Sequence, residues 1–236
     1  MTETSFTRHE FATGAELAPA FAAWTADILR AAIAARGTAL LAVSGGSTPK
    51  RFFEALSALP LDWSRVEVTL ADERRVPDDS PRSNARLVRE TLLQGEAAKA
   101  IFTPLADSRV RPDQELSQAG ARVGNLSLPA DLVVLGMGDD GHTASWFPRA
   151  AGLDDAVDPA ARALVAAIAA PDGLEPRLTL TGRVILRAEH IALQIEGPAK
   201  AATFAKALED GPVEDMPIRA VLIAAGDKLT VFQAAA

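Results

Sequence analysis

The stretch Asp131-Leu-Val-Val-Leu-Gly-Met-Gly-Asp-Asp-Gly-His-Thr-Ala-Ser-Trp-Phe-Pro148 carries the strongest indication of the fold. Its first part, Leu132 to Leu135, is a short apolar run that includes two valines. Such a run is typical of a strand that is buried on both faces, as in a parallel sheet covered by helices. The stretch therefore predicts a central strand of an α/β fold.

A turn rich in glycine and ionisable side chains follows this strand. Its glycines are Gly136, Gly138 and Gly141, and its titratable residues are Asp139, Asp140 and His142. Open α/β sheets bind ligands just beyond the carboxyl ends of their strands. We therefore interpret the turn as catalytic. The alternative, a tight strand-to-helix turn with a solvated histidine, explains the glycines but gives the titratable cluster no role.

A second loop of this kind lies nearer the N-terminus. A predicted strand at residues 39–43 runs into Ser44-Gly45-Gly46-Ser47-Thr48-Pro49, and a predicted helix spans residues 49–59 with Thr48 as its N-cap. Free N–H groups, hydroxyls and the helix dipole favour an anion there. The loop lacks the lysine of a Walker A motif. An ordinary strand-to-helix turn remains the alternative.

A third predicted strand, at residues 66–70, ends in Asp72-Glu73-Arg74-Arg75. This charged run is either a solvated turn or a place where one arginine turns inward, since a guanidinium matches phosphate and carboxylate in a fork. Ser83 or Asn84 then caps a helix that extends to about residue 93.

The remaining pattern alternates strands and helices. Helices are predicted at residues 17–36, 113–126 and 198–209, strands at 176–181, 190–195 and 229–232, a helical turn at 184–188 and a connector at 102–107. Residues 160–170 are apolar and ambiguous between helix and strand. The sequence predicts a single α/β domain over residues 1–236, doubly wound, with a mostly parallel sheet and helices on both faces.

Composition excludes several classes of protein. The chain has 236 residues, 48% of them hydrophobic, which is ample for a packed core. It has no cysteine, hence no disulfide, thiolate nucleophile or Cys-ligated zinc. With a net charge of -7 and no basic block, a nucleic-acid surface is not expected. The polar stretch 1–10 is unlike a signal peptide and no segment approaches a membrane span, so we expect a cytoplasmic protein.

Four blocks resemble the 6-phosphogluconolactonase family. They are Ser44-Gly45-Gly46-Ser47-Thr48-Pro49; Asp72-Glu73-Arg74 with Val76-Pro77 and Ser83-Asn84; Gly136-Met137-Gly138-Asp139-Asp140-Gly141-His142-Thr143-Ala144-Ser145 with Phe147-Pro148; and Arg177-Leu178-Thr179 with Gly197-Pro198-Ala199-Lys200. The resemblance implies a carboxylic ester hydrolase that opens 6-phospho-D-glucono-1,5-lactone, the second step of the oxidative pentose phosphate pathway. It also implies a fold shared with glucosamine-6-phosphate deaminases and ribose-5-phosphate isomerases.

The chemistry of a lactone fits the residues of these blocks. Its carbonyl is already electrophilic, so no metal or other cofactor is expected, and the reaction needs a base, oxyanion donors and a phosphate anchor. His142 is the expected base, since an imidazole with its ordinary pKa of about 6.5 is largely neutral at pH 7. We assign catalysis to His142, Asp72 and Arg74. The turn of Gly138, Asp139, Asp140 and Gly141 supports His142, and Asp72, Asp139 or Asp140 orients it.

The expected phosphate anchor combines one loop with three cations, and its residues are Ser44, Gly45, Gly46, Ser47, Thr48, Arg74, Arg177 and Lys200. Two other functions remain open: a sugar-phosphate isomerase or deaminase with Asp72-Glu73 as its carboxylate, and a non-catalytic sugar-phosphate sensor. Against the isomerase, Arg74-Arg75 follows the acidic pair, and a neighbouring cation favours a charged, weakly basic carboxylate. We expect a monomer.

Overall fold

A computed structural model describes residues 5–236 and contains ten strands. They are β1 (Thr7–Phe11), β2 (Ala39–Val43), β3 (Val66–Leu70), β4 (Asp72–Arg74), β5 (Ile101–Thr103), β6 (Leu132–Leu135), β7 (Val165–Ile168), β8 (Arg177–Leu180), β9 (His190–Glu196) and β10 (Leu229–Ala234). Seven of them form one parallel sheet in the order β1-β10-β9-β6-β2-β3-β5. The prediction of a mostly parallel α/β fold is confirmed.

The helices are α1 (Gly14–Arg36), α2 (Lys50–Ser57), α3 (Asn84–Thr91), α4 (Pro112–Gly124), α5 (Leu153–Val157), α6 (Gly182–Ile185), α7 (Pro198–Ala207) and α8 (Ile218–Ala224). Every residue of β2 and β6 is buried. Because successive side chains of a strand point to opposite faces, full burial means that both faces of the sheet are covered.

A second, three-stranded antiparallel sheet has the order β4-β8-β7 and was not predicted. The charged residues Asp72–Arg74 were interpreted as a turn, but they form β4 and pair with β8. Their strand conformation comes from that long-range pairing, which local propensity does not reveal. The ambiguous segment 160–170 contains β7.

Two other expectations, for the connector and for the start of α2, were wrong, one strand was missed, and the cap predicted for α3 is confirmed. The connector at 102–107 contains part of β5, and the polar N-terminal stretch contributes the edge strand β1, although residues 1–4 of that stretch lie outside the described part. Helix α2 begins at Lys50, with Pro49 as its N-cap and no side-chain cap from Thr48. The N-cap of α3 is Ser83, whose hydroxyl accepts from the Arg86 N–H.

Helix α1 corrects the expectation about membrane spans, because its length and composition alone would allow it to cross a membrane. Its apolar face, however, packs in the core, where Leu17, Phe21 and Leu29 are fully buried. Thr13 caps its first turn, and Gly37, with a φ of 83°, ends it. Burial of one face is the behaviour of a core helix.

The order of the sheet creates a crevice between β2 and β6. From β2 the chain continues to β3 and β5 on one side, whereas β6 lies on the other side of β2. The three strands predicted at 39–43, 66–70 and 132–135 are therefore neighbours in the sheet. Connections that leave adjacent parallel strands in opposite directions open a ligand-binding crevice at their carboxyl ends.

Candidate active site

A cavity of about 330 Å³ lies at this switch point. The segment Ser44 to Thr48 and the residues Gly138 and His142 of the glycine turn line it from the large sheet. Asp72, Arg74 and Arg177 line it from β4 and β8, and Lys200 from α7. Most of the predicted site residues therefore line the same cavity. Asp139, Asp140 and Gly141 lie in the turn but outside the cavity lining.

Asp140 is the acid that contacts His142. The Asp140 Oδ1 lies 2.6 Å from His142 Nδ1 and 3.0 Å from the His142 backbone nitrogen. Burial favours a raised pKa for Asp140, but the hydrogen bonds and charge of His142 outweigh it, and the pKa of Asp140 falls below its usual range. With the Nδ1 proton donated to Asp140, the lone pair of the imidazole is on Nε2.

The glycine turn holds the imidazole by close packing. The Gly138 N–H donates to the His142 carbonyl (2.9 Å), and the Gly141 N–H donates to the Gly138 carbonyl (3.0 Å). A Cβ at position 138 would lie 2.2 Å from both Nδ1 and Cε1 of His142, so only glycine fits beneath the ring. On another side the ring of Phe147 lies 4.9 Å from that of His142, centroid to centroid.

Arg74 and Arg177 form a pair of like charges, in which Arg177 is buried and Arg74 is half-buried. They are direct partners in the antiparallel register of β4 and β8, an arrangement that repulsion disfavours unless an anion is near. Arg177 is 5% exposed and lies over the Phe147 ring at 5.7 Å. Burial, and then the neighbouring charge of Arg74, lower the pKa of Arg177.

Several hydrogen-bond donors around the cavity are available to an anion. The Arg74 side chain donates through Nη1 to the Arg82 carbonyl (2.7 Å), whereas its buried Nε has no partner among the described residues. Across the cavity the Lys200 Nζ donates to Thr48 Oγ1 (3.1 Å). The buried Ser44 hydroxyl likewise has no partner in the described part of the chain. Unmatched buried donors indicate a ligand or ordered water.

Asp72 lines the same cavity but does not contact the imidazole. Its Oδ2 accepts from the Ser145 hydroxyl (2.6 Å), and the Asn84 amide donates to its backbone carbonyl (2.9 Å) and to Oδ1 (3.4 Å). Within residues 5–236 its side-chain hydrogen bonds thus go to Ser145 and Asn84. The sequence left the partner of His142 open, and the geometry assigns that contact to Asp140.

Glu73 has a different task from its neighbour Asp72. It is 2% exposed, and its carboxylate accepts from the backbone N–H groups of Arg74, Asn84 and Ala85 and from the Ser83 hydroxyl. Burial raises the pKa of Glu73, although these N–H groups act against the rise. The Glu73 carboxylate therefore accepts the free N–H groups of the first turn of α3, and it lies outside the cavity lining.

Three further cavity residues were missed as site residues. Gln194 interrupts the apolar strand β9, and an amide inside a buried strand is a usable signal. Asn84 was considered as a helix cap and as part of a motif, and Phe147 only as part of a motif. Across the described residues, no group of three or more His, Asp or Glu side chains is arranged to hold a metal ion.

Comparison with known proteins places the chain among sugar-phosphate enzymes. The family model described as glucosamine-6-phosphate isomerases/6-phosphogluconolactonase matches residues 12–231. A 6-phosphogluconolactonase of Mesorhizobium japonicum is 49% identical over 230 residues, which cover 98% of this chain and 96% of that protein. The crystal structure of a 6-phosphogluconolactonase from Shewanella baltica is 42% identical, with a TM-score of 0.93 and 99% of each chain covered.

The fold extends to a second enzyme class. A monomeric glucosamine-6-phosphate deaminase superposes with a TM-score of 0.79 at 21% identity, over 97% of each chain. At that identity the likeness concerns the fold alone, so the residues of the cavity have to decide between a lactonase and a deaminase.

Proposed function

The chain belongs to the family of glucosamine-6-phosphate isomerases and 6-phosphogluconolactonases, and we propose that it hydrolyses 6-phospho-D-glucono-1,5-lactone to 6-phospho-D-gluconate. The relatives named as 6-phosphogluconolactonases, at up to 49% identity, support this assignment. So does the cavity, which is lined by a cluster of cations and by His142, whose imidazole is held from outside the lining by Asp140. We propose the oxidative pentose phosphate pathway as the setting and, as the sequence suggested, the cytoplasm as the location.

His142 is the proposed general base. The Nε2 lone pair takes a proton from a water molecule, whose oxygen forms a bond to the lactone carbon C1. The tetrahedral intermediate then expels the ring oxygen, which receives the proton from the His142 imidazolium. Asp140 holds the ring by its Nδ1 proton and stabilises the imidazolium, because the carboxylate stays charged at neutral pH.

The cations serve the two ends of the substrate. We propose that Arg74, with its unpartnered Nε, donates to the oxyanion that develops at C1. Arg177, Lys200 and the segment Ser44 to Thr48 bind the phosphate dianion. Anchoring the far end of the sugar orients C1 against the water, which lowers the entropic part of the barrier. Asp72, fixed by Ser145 and Asn84, balances the charge of the arginine pair.

The observation that carries the hydrolase over the isomerase or deaminase is the hydrogen bonding of Asp72. An isomerase or deaminase needs a carboxylate free to move a proton between C1 and C2 of the sugar. Both oxygens of Asp72 already accept hydrogen bonds from protein groups, so the carboxylate is held by Ser145 and Asn84 and is not free to carry that proton. Glu73 is enclosed by the start of α3.

The test measures acid release from freshly prepared lactone against the spontaneous rate, in the presence and absence of a metal chelator. We expect release above background that the chelator leaves intact. In parallel, glucosamine 6-phosphate and fructose 6-phosphate are incubated with the protein in heavy water. Deuterium at C2 without lactone hydrolysis would overturn the proposal in favour of an isomerase or deaminase.

A further inference from the structure

Two buried amide oxygens in the cavity have no hydrogen-bond partner among the described residues. They are Asn84 Oδ1 and Gln194 Oε1, on side chains that are each 2% exposed. A buried polar atom without a partner is costly, and native structures keep one where a ligand or an ordered water completes it. Both residues line the cavity that holds His142.

The network around Gln194 fixes which end of its amide meets the cavity. The Nε2 donates to the Thr48 carbonyl (3.3 Å) and to Glu196 Oε1 (2.8 Å). Both partners only accept, so the nitrogen must face them and the oxygen must point away. Gln194 therefore offers the cavity an acceptor and has no amide proton left to donate.

Asn84 is fixed in the same way from the opposite side of β2. Its Nδ2 donates to the Asp72 backbone carbonyl (2.9 Å) and to Asp72 Oδ1 (3.4 Å), which again are acceptors. Its Oδ1 lies against Gly45, where an added Cβ would be 1.9 Å from the oxygen. Glycine at position 45 thus leaves room for a second obligatory acceptor.

Acceptors of this kind do not suit a phosphate. A phosphate monoester is mostly a dianion at pH 7 and offers its neighbours only acceptor oxygens, so it would repel both amide oxygens. The arginines, Lys200 and Ser44 supply donors for the anionic groups of the substrate. The two amide oxygens instead require hydrogen-bond donors, and hydroxyl groups are the donors that a sugar supplies.

We propose that Asn84 and Gln194 are specificity-determining residues, each of which accepts a hydrogen bond from a different ring hydroxyl of the sugar lactone. This inference rests on the proposed lactonase function. A substrate that lacks the matching hydroxyl leaves a buried acceptor unpaired, and such a loss is penalised more strongly than the loss of an apolar contact. The cavity thereby selects a fully hydroxylated ring independently of the phosphate.

The experiment measures each of several variants on each of four substrates. The kcat/KM of the wild type is measured on 6-phospho-D-glucono-1,5-lactone and on its 2-deoxy, 3-deoxy and 4-deoxy counterparts, after subtraction of spontaneous hydrolysis. The same four lactones are given to Gln194→Met and Asn84→Ser. Thr25→Val is the matched control, since the Thr25 hydroxyl is also buried and without a partner in the described chain but lies in α1, outside the cavity lining.

We expect the wild type to lose on the order of 10-fold to 100-fold in kcat/KM on two of the deoxy lactones. Gln194→Met should abolish the penalty for one of them and Asn84→Ser the penalty for the other, because the missing hydroxyl no longer matters once its acceptor is gone. Thr25→Val should keep the wild-type ratios.

The outcomes separate this inference from the function on which it rests. If the wild type does not accelerate hydrolysis of the fully hydroxylated lactone, the proposed function fails. The inference fails if the wild type hydrolyses all four lactones with equal kcat/KM. It also fails if each variant loses the same factor in kcat/KM on every lactone, because the amide oxygens then do not accept hydrogen bonds from ring hydroxyls. The wild-type comparison decides even where a variant does not fold, and thermal melting of each variant identifies that case.

Discussion

At the scale of single residues, His142 and Asp140 define the expected chemistry. Replacing His142 with alanine removes the only imidazole among the cavity-lining residues, while the cations proposed to bind the substrate remain. We expect kcat to fall on the order of 10²–10⁴-fold with a smaller change in KM, since a general base acts in the transition state. The matched control is His9→Ala, because His9 is exposed on β1. A loss shared by both variants would remove His142 from its role.

Asp140 makes the stability of the protein depend on pH. Its pKa is depressed below the ordinary 3.8 by His142, against the opposing effect of burial. A group whose pKa is lower in the folded state stabilises the fold above its ordinary pKa and loses that contribution as the pH falls through the folded value. The gap in unfolding free energy between wild type and Asp140→Asn should therefore narrow as the pH falls below about 4.

Urea denaturation at stepwise pH values measures this gap. The control is Asp210→Asn, an exposed carboxylate on the segment after α7, for which the gap should stay small throughout. A gap for Asp140→Asn that is unchanged at pH 3 would mean that the carboxylate is not coupled to the imidazole in solution.

The sequence revealed the residues of the site better than their partners. His142, the segment Ser44 to Thr48 and the three cations were all predicted, because each follows a recognisable strand or motif. The pairing of Arg74 with Arg177 was not predictable, since these residues are 103 positions apart and meet only through the register of β4 and β8. The roles of Asn84 and Gln194 depend on which groups accept hydrogen bonds from their amide nitrogens. Those acceptors are brought close only by the tertiary fold.

At the scale of elements, apolar patterns predicted the strands that lie inside the large sheet. β2 and β6 are fully buried, so their sequences are nearly continuous in apolar residues. β1 and β4 were missed because their residues are mostly polar and their conformation depends on strands distant in the chain: β1 pairs with β10, and β4 with β8. Edge and accessory strands carry little local signal.

The start of α3 links the fold to the cavity through Glu73. Glu73→Gln keeps the size of the side chain but turns one acceptor oxygen into a donor nitrogen that faces N–H or hydroxyl donors. We expect a loss of about 1–3 kcal/mol in the free energy of unfolding at pH 7, measured by urea denaturation. Glu54→Gln, on the exposed side of α2, should change it by less than about 0.5 kcal/mol. Equal stability of Glu73→Gln and wild type would show that the cap is dispensable.

At the scale of the whole molecule, the sign of the net charge and the sign of the site are opposite. The chain carries -7 overall, yet Arg74, Arg177 and Lys200 line one cavity. A substrate anion is therefore not attracted by the protein as a whole, and its affinity has to come from local, partly desolvated cations. The global composition disfavours a nucleic-acid surface, but it contains no information about the local cluster.

This cluster should make thermal stability sensitive to the reaction product. A ligand that binds only the folded state stabilises it by RT ln(1 + [L]/Kd), which is about 2.7 kcal/mol at 100 times Kd. For a chain of this size we expect 6-phosphogluconate at that concentration to raise Tm by roughly 5–10 °C. Gluconate, which lacks the phosphate, should raise it much less.

Arg177→Ala and Lys200→Ala should each remove most of the rise in Tm at the same concentration of 6-phosphogluconate, because each deletes a cation of the proposed anchor. Arg187→Ala removes the same charge from an exposed position before β9 and should keep the full shift. If Arg177→Ala and Arg187→Ala respond alike, the stabilisation reflects net charge, and the buried Arg177 does not bind the phosphate.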